Sequence, residues 1–287
     1  MKTSYKYLAI AFASILCSCN GEVTPDMVES QVEISANITP CVLTRVSDNG
    51  TSFTDGDQIK VQNTERNNKN LATYTYSEST GMWTTTNDLY WGVQSENTFN
   101  AWYPATAAYD SFTIPEDQTT AVNLASADWM TATTTARRNS TVVLSFNHNL
   151  AKVTVTIEEW SNKYLENEKV INSLELNSLS SVMTNSTTIS GDDKPQWVET
   201  NVKQANTTFV AIIAPGTYTS GNDIMQVYVN GSSAPLAVKT SEALTLEASK
   251  AYRFNVTVGK DLATITSSVT VGDWGDVDLE NQNATQQ

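Results

Sequence analysis

Hydrophobic residues alternate with polar ones along most of this chain, and this period of two constrains the fold more than any other feature. Val153, Val155 and Ile157 form one such run. Successive side chains of a β-strand point to opposite faces, so each run can bury one apolar face. Threonine, serine and asparagine fill many of the polar positions, whereas helical periodicity is nearly absent. The pattern therefore predicts an all-β protein built from antiparallel strands.

Turn residues and length indicate how these strands are organised. Pairs such as Asp55-Gly56 and Asn230-Gly231 interrupt the alternating runs at short spacing, which is typical of β-sandwiches. A chain of 287 residues exceeds one ordinary domain and favours two sandwiches in series. The small, polar stretch 130–140 is the predicted linker. It separates an N-terminal domain (46–138) from a C-terminal domain (139–278), and residues 279–287 are a predicted flexible tail.

The N-terminus has the features of a bacterial lipoprotein signal peptide. Lys2 and Lys6 precede an uncharged apolar stretch, 7–16, which is too short to be a transmembrane helix. Leu16 lies three positions before Cys19, and Ser18 directly precedes Cys19. We therefore expect residues 1–18 to be removed and Cys19 to carry a covalent lipid such as palmitate, which would hold the chain at a membrane surface.

Charge and residue counts exclude several functions. A net charge of −14 would repel nucleic acid. His148 is the only histidine, so a histidine-cluster metal site is excluded and any Ser/His/Asp triad would have to use this residue. A structural role for His148 is the favoured interpretation. We expect no enzyme activity, no metal, and no cofactor other than the lipid on Cys19.

The tryptophan residues suggest glycan binding as one function. Trp83, Trp91, Trp102 and Trp129 lie in the first half of the chain. Exposed aromatic rings on a sandwich can stack on sugars, which would make the protein a surface glycan-binding lipoprotein. Large rings more often fill protein cores, so core packing is the competing interpretation.

Residues 19–45 are predicted to form a propeptide that carries the first strand. Four alternating residues would face inward: Val32, Ile34, Ala36 and Ile38. Arg45 is the one lysine or arginine between Lys6 and Lys60, so a trypsin-like protease that acts on this N-terminal part would have one obvious site, before Val46. Cleavage there would remove the strand and leave a groove that another molecule's strand could fill.

The other end of the chain offers a strand that could fill such a groove. Ile265, Val269 and Val271 share one face of an alternating run at 263–272. The residues alone equally allow both segments to close their own sheets, with Arg45 an exposed residue before a loop.

Several motifs together resemble the fimbrillin-like proteins of Bacteroidetes, the pilins of type V pili. Their order and spacing carry the resemblance across nearly the whole mature chain. Besides the site at Cys19 and the Thr44-Arg45 pair, they comprise FTDGDQIKV (53–61), LYW (89–91), FNAWYP (99–104), DWM (128–130), LSFNHNLAKV (144–153), FVAIIAPGTY (209–218) and KAYRFNV (250–256).

The resemblance implies two tandem transthyretin-like β-sandwich domains and a lipoprotein precursor delivered to the surface of the bacterial outer membrane. It implies cleavage after Arg45 by an arginine-specific protease and assembly into a fimbrium by strand exchange. Residues 32–38 would be the displaced strand and the C-terminal strand the donor. The expected partners are other pilin subunits, in a homopolymer or heteropolymer, and a host surface ligand or glycan to which the fimbrium adheres.

Overall fold

A computed structural model describes residues 29–39, 52–184, 194–204, 207–265 and 270–274. The predicted signal peptide and tail lie outside these residues, as do Cys19, Arg45, Val46 and Val269. No helix within the described part of the chain is long and apolar enough to cross a membrane.

Strands dominate the described residues, which confirms the predicted all-β class. The first half contains β1 (Ile34–Ile38), β2 (Gln58–Asn63), β3 (Leu71–Ser77), β4 (Met82–Thr84), β5 (Glu96–Tyr103), β6 (Ser111–Thr113), helix α1 (Ala121–Ser126), β7 (Met130–Arg137) and β8 (Val142–His148). The second half contains β9 (Ala151–Trp160), a 3-10 turn (Glu166–Glu168), β10 (Ile171–Ser178), β11 (Val182–Thr184), β12 (Gln196–Glu199), β13 (Asn201–Gln204), β14 (Thr208–Ile213), β15 (Gly216–Tyr218), β16 (Asp223–Val229), β17 (Leu236–Lys239), β18 (Leu244–Leu246), β19 (Lys250–Val258), β20 (Ala263–Ile265) and β21 (Thr270–Asp273).

One curled sheet forms the N-terminal unit. Its seven strands follow the order β1-β8-β7-β5-β2-β3-β4, and the two end strands, β1 and β4, contact each other. The sheet therefore wraps around its own core instead of forming two separate layers. The alternation in β8 explains which face is inside, because Val142, Leu144 and Phe146 are fully buried while the residues between them are exposed.

Two facing sheets form the C-terminal unit. One has the order β12-β10-β16-β17, and the other has the order β13-β14-β9-β19-β20, with β21 also paired to β19. Strand β14 is buried at all six positions, as expected for a central strand covered on both faces. This arrangement agrees with the predicted sandwich. The transthyretin-like topology of each domain stays a prediction.

Part of the first half of the chain packs into the C-terminal core. Strand β6 pairs with β11, so Phe112 and Ile114 join that core, and Trp129 stacks on Phe112 with ring centroids 5.6 Å apart. The side chain of Thr120 accepts a hydrogen bond from the backbone N–H of Asn123 and so caps the N-terminus of α1. Residues 111–129 therefore connect the two units.

The predicted linker at 130–140 is wrong, because most of it is strand β7. This strand lies between β5 and β8 in the N-terminal sheet, and β8 belongs to the same sheet. The chain passes from this sheet into the next at Asn149, between β8 and β9. The structure therefore moves the boundary from 138/139 to about ten residues later.

Candidate functional site

Strand β1 joins β8 by a parallel ladder in a sheet whose other strand pairs are antiparallel. Ile34 lies opposite Val142, and Ile38 lies opposite Phe146. Parallel pairing is slightly less stable per residue than antiparallel pairing. Among the strands that the structure describes, β1 stands at the end of the sheet order and pairs with β8 alone. A different strand could therefore replace β1 without breaking another ladder of the sheet.

Residues just before β1 link it to the loop that follows β4. The N–H of Val32 donates to the Leu89 carbonyl at 2.9 Å, and the N–H of Trp91 donates to the Ser30 carbonyl at 3.0 Å. The Tyr74 hydroxyl donates to the Val32 carbonyl at 2.8 Å, and burial raises the pKa of Tyr74, which keeps this donor protonated. The segment 29–39 thus closes the gap between the two ends of the curled sheet.

Apolar residues of this segment complete the N-terminal core. Val32 and Ile38 are 5% and 6% exposed, whereas Ile34 and Ala36 are half-buried against the same core. Burying the first two contributes roughly 3 to 6 kcal/mol in total, since a buried valine or isoleucine contributes about 1.5 to 3 kcal/mol. The four predicted inward positions therefore lie where a displaced strand would need them, although its displacement stays a prediction.

Glu29 anchors the start of the segment through charge. Its carboxylate accepts from Arg66 Nη2 at 3.0 Å and from Lys69 Nζ at 3.1 Å. The hydrogen bonds from Arg66 and Lys69 hold the pKa of Glu29 below its usual range, and Glu29 in turn raises the pKa of Lys69.

Replacing Glu29 with glutamine should loosen the start of the segment. At pH 7 we expect amide exchange at Val32 to be up to about fivefold faster, since exposed ion pairs contribute little. A carboxyl whose folded pKa is lowered stabilises the fold above its unfolded pKa, and that effect is lost as the pH falls through the folded pKa. The difference between wild type and Glu29→Gln should therefore disappear in acid. Hydrogen exchange measured by mass spectrometry checks this, and equal rates at pH 7 would contradict it.

Two short strands lie in the described residues of the predicted donor segment. Strands β20 and β21 both pair with β19, with Ile265 opposite Val256 and Val271 opposite Tyr252. Ile265 packs partly against the C-terminal core, but Val271 is 55% exposed, because it lies at the uncovered edge of the sheet. The single alternating strand at 263–272 stays a prediction, because residues 266–269, Val269 among them, lie outside the described residues.

His148 is a buried structural residue at the junction of the two units. Its ring nitrogen Nδ1 lies 2.7 Å from Asp128 Oδ1, which fits donation of the ring N–H to the carboxylate. The ring also stacks on Trp274, with centroids 3.9 Å apart and an angle of 11°. Trp274 directly follows β21, so this stack ties the end of the described chain to the junction. Within the described residues, no group of three or more histidine, cysteine or acidic side chains could hold a metal ion.

The predicted glycan-binding tryptophans are mostly buried. Trp91, Trp102 and Trp129 are 3%, 7% and 1% exposed. Trp83 is half-buried and packs edge-on against Phe53, with centroids 4.9 Å apart. Trp83, Trp91 and Trp129 pack in the hydrophobic cores and Trp102 is also buried, so these four rings do not form an exposed platform for sugars.

Sequence reasoning missed Glu29, Arg66, Lys69 and Trp274. The two cations lie in a polar run, 62–70, that contains no apolar residue, so neither a core pattern nor a motif marks them. Their spacing of three residues was the one available signal, and it did not reveal a partner 37 positions away.

Comparisons with known proteins identify the family. A proposed cell adhesion protein from Bacteroides ovatus has a TM-score of 0.60 at 20% identity, with 87% of this chain and 99% of that chain covered. One from Bacteroides uniformis has a TM-score of 0.60 at 18% identity, with coverages of 85% and 99%. These likenesses show a shared fold. No curated protein sequence matches the chain. A fimbrillin-like sequence profile matches residues 44–274, which is most of the chain, and this protein therefore belongs to the fimbrillin-like family.

Proposed function

We propose that this protein is a structural subunit of a surface fimbrium that supports adhesion and contacts other pilin subunits. Membership of the fimbrillin-like family supports this role. The observation that carries the proposal furthest is strand β1, a terminal strand that completes the core yet pairs with β8 alone among the described strands. The proposal includes no catalytic step and no cofactor other than lipid.

Maturation would begin with a lipid on Cys19 that holds the precursor at the outer membrane. An arginine-specific protease would then cut between Arg45 and Val46. The cut would release residues 19–45, which include β1, the lipid and the remaining cysteine, Cys41. The subunit would then depend on packing and on strand exchange for its stability.

Polymerisation would proceed when a strand from another subunit enters the groove left by β1. The groove would present the backbone edge of β8 and the apolar positions covered by Val32 and Ile38. The C-terminal segment with Ile265, Val269 and Val271 is the proposed donor. Exposure of Val271 at a sheet edge supports this choice, because its side chain would give up little contact when the strand leaves its sheet. Release would also have to unstack Trp274, which directly follows the strand, from His148.

Changing Arg45 to lysine should prevent assembly. The purified wild-type chain, treated with an arginine-specific protease, should acquire Val46 as its N-terminus and form a ladder of oligomers on a gel without boiling. Arg45→Lys should stay uncut and monomeric under the same conditions.

The control is Arg137→Lys, a change at an exposed arginine of β7. This variant should be cut and should assemble as the wild type does. Oligomers from uncut Arg45→Lys protein, or cut wild-type protein that stays monomeric, would refute the proposed mechanism.

A further inference from the structure

Cleavage after Arg45 would remove the anion from a binding site that is otherwise built from residues of the mature chain. Glu29 leaves with the propeptide, but Arg66, Lys69 and Tyr90 remain. We define these three residues as the cationic cradle. The chain carries a net charge of −14, so a local positive site is unusual on it. Arg66 and Lys69 would form such a site once they have lost the carboxylate of Glu29.

Bonds that do not involve Glu29 hold the cradle in place. Arg66 Nη1 donates to the Trp91 carbonyl at 2.9 Å, and Arg66 Nε donates to the Asn68 carbonyl at 3.1 Å. The Arg66 side chain is only 15% exposed, and Nη2 is the atom that reaches Glu29. The guanidinium is therefore oriented toward a carboxylate position before any ligand arrives.

Lys69 is fixed by its backbone as well as by its charge. It adopts a left-handed conformation, with φ of 48°, and its carbonyl accepts from the N–H of Tyr90 at 3.2 Å. Its ammonium lies 4.8 Å from the centre of the Tyr90 ring, and Asp88 is 4.0 Å away. Because the exposed Asp88 carboxylate is this far from the Lys69 ammonium, a second anion can approach the ammonium more closely.

We infer that, in the cleaved subunit, the cationic cradle binds a carboxylate from the acidic C-terminal segment 273–280 of a second copy. This inference rests on the proposed function, because the acidic segment directly follows the proposed donor strand. Four acidic residues lie in this segment, and no lysine or arginine follows Lys260. The donor end of the chain thus complements the cradle in charge.

Spacing along the chain supports this occupant. Glu29 lies three positions before Val32, the first buried apolar residue of the displaced segment. Asp273 and Asp276 lie two and five positions after Val271. A donor strand that places Val271 where Val32 lies would therefore put Asp273 one position short of Glu29 and Asp276 two positions beyond it. One position is roughly 3.3 Å of extended strand, so a carboxylate would lie near the position of Glu29, within the range over which a flexible lysine side chain can adjust.

This placement also sets the direction of the incoming strand. The acid comes before the apolar residues in the displaced segment and after them in the donor. The donor must therefore run opposite to β1 and hence antiparallel to β8. Antiparallel pairing is slightly more stable than the parallel pairing of β1, which favours the exchange. The cradle would act as a positioning site that fixes register and direction.

Changing Lys69 to glutamine should slow assembly of the cleaved subunit. Lys69 is 47% exposed, so the fold should persist. At low salt we expect assembly about fivefold slower than wild type by light scattering, and the difference should shrink at high salt because screening weakens charge pairing. Lys239→Gln, at an exposed lysine paired with Asp223, is the matched control and should assemble at the wild-type rate.

Substitutions in segment 273–280 test whether this segment binds the cationic cradle. The double change Asp273→Asn and Asp276→Asn should slow assembly as Lys69→Gln does, whereas Asp261→Asn, at the other end of the donor, should not. Glu29→Gln should leave assembly unchanged when the cleaved subunit has first been separated from residues 19–45, since Glu29 is then absent. In a final arm, Asp276→Lys should restore assembly of Lys69→Glu.

The outcomes separate this inference from the proposed function. If the cut wild-type chain fails to assemble, the proposed function fails. If it assembles and Lys69→Gln assembles equally fast with the same salt dependence, only the cradle is refuted. If Asp261→Asn slows assembly and the Asp273 and Asp276 changes do not, segment 273–280 is not the ligand of the cradle and the donor strand does not run antiparallel to β8.

Discussion

Replacing Phe146 with alanine should destabilise the N-terminal unit by about 4 kcal/mol, because truncating a buried phenylalanine removes its transfer energy and leaves a cavity. Phe146 is fully buried in β8 and packs edge-on against Phe53, with centroids 5.5 Å apart. It also lies opposite Ile38 of β1, so its ring belongs to the part of the core that β1 covers. Urea unfolding of the full chain measures the loss.

Val143→Ala provides the matched control on the same strand. Val143 points outward and is 57% exposed, so its truncation should change the free energy of unfolding by at most about 0.5 kcal/mol. Equal losses for the two variants would mean that β8 does not present Phe146 to a packed core. After cleavage, Phe146→Ala should also accept a donor strand poorly, because the floor of the groove would contain a cavity.

Alternation alone predicted the all-β class and the inward positions of the first strand. Val32 and Ile38 are buried as the period of two requires. The sequence pattern could not identify the partner of that strand, because β1 pairs with β8 across more than one hundred positions. The curled shape of the sheet also depends on long-range contacts, because β1 meets β4 at the other end of the sheet and Gln31 forms a bridge to Tyr90.

The linker at 130–140 was mispredicted because composition was weighed above pattern. Small and polar residues are typical of linkers, yet Met130 and Ala132 are buried whereas Thr131 and Thr133 are not. Alanine contributes only a weak apolar signal, so the alternation was easy to miss. Pairing with β5 on one side and β8 on the other makes this segment a central strand.

Charged contacts of the candidate site were the least predictable part. Arg66 and Lys69 lie in the loop between β2 and β3, which contacts the loop after β4. They meet Glu29 only because residues 29–31 run beside these two loops, and that path follows from the tertiary fold. Likewise, neither Asp128 nor Trp274 could be named from spacing as a partner of His148.

The junction between the two units depends on a buried polar pair. The His148 and Asp128 side chains are 4% and 11% exposed. Around them, Ser249 adopts a left-handed conformation with φ of 62°, which brings its hydroxyl to the His148 carbonyl and its N–H to the Leu150 carbonyl at 2.9 Å. A buried donor that loses its acceptor is costly, because water cannot replace the lost bond.

Asp128→Ala should therefore lower the free energy of unfolding by about 3 kcal/mol, because it leaves His148 Nδ1 without its acceptor in a buried site. Asp128→Asn keeps a carbonyl oxygen at the same position and should lose only about 1 kcal/mol. Asp110→Ala, at an exposed aspartate, is the control and should stay within about 0.5 kcal/mol of wild type. Urea unfolding compares the three. If Asp128→Ala proved as stable as Asp110→Ala, the pair would not hold the junction, and the stack of His148 on Trp274 would have to position the ring alone.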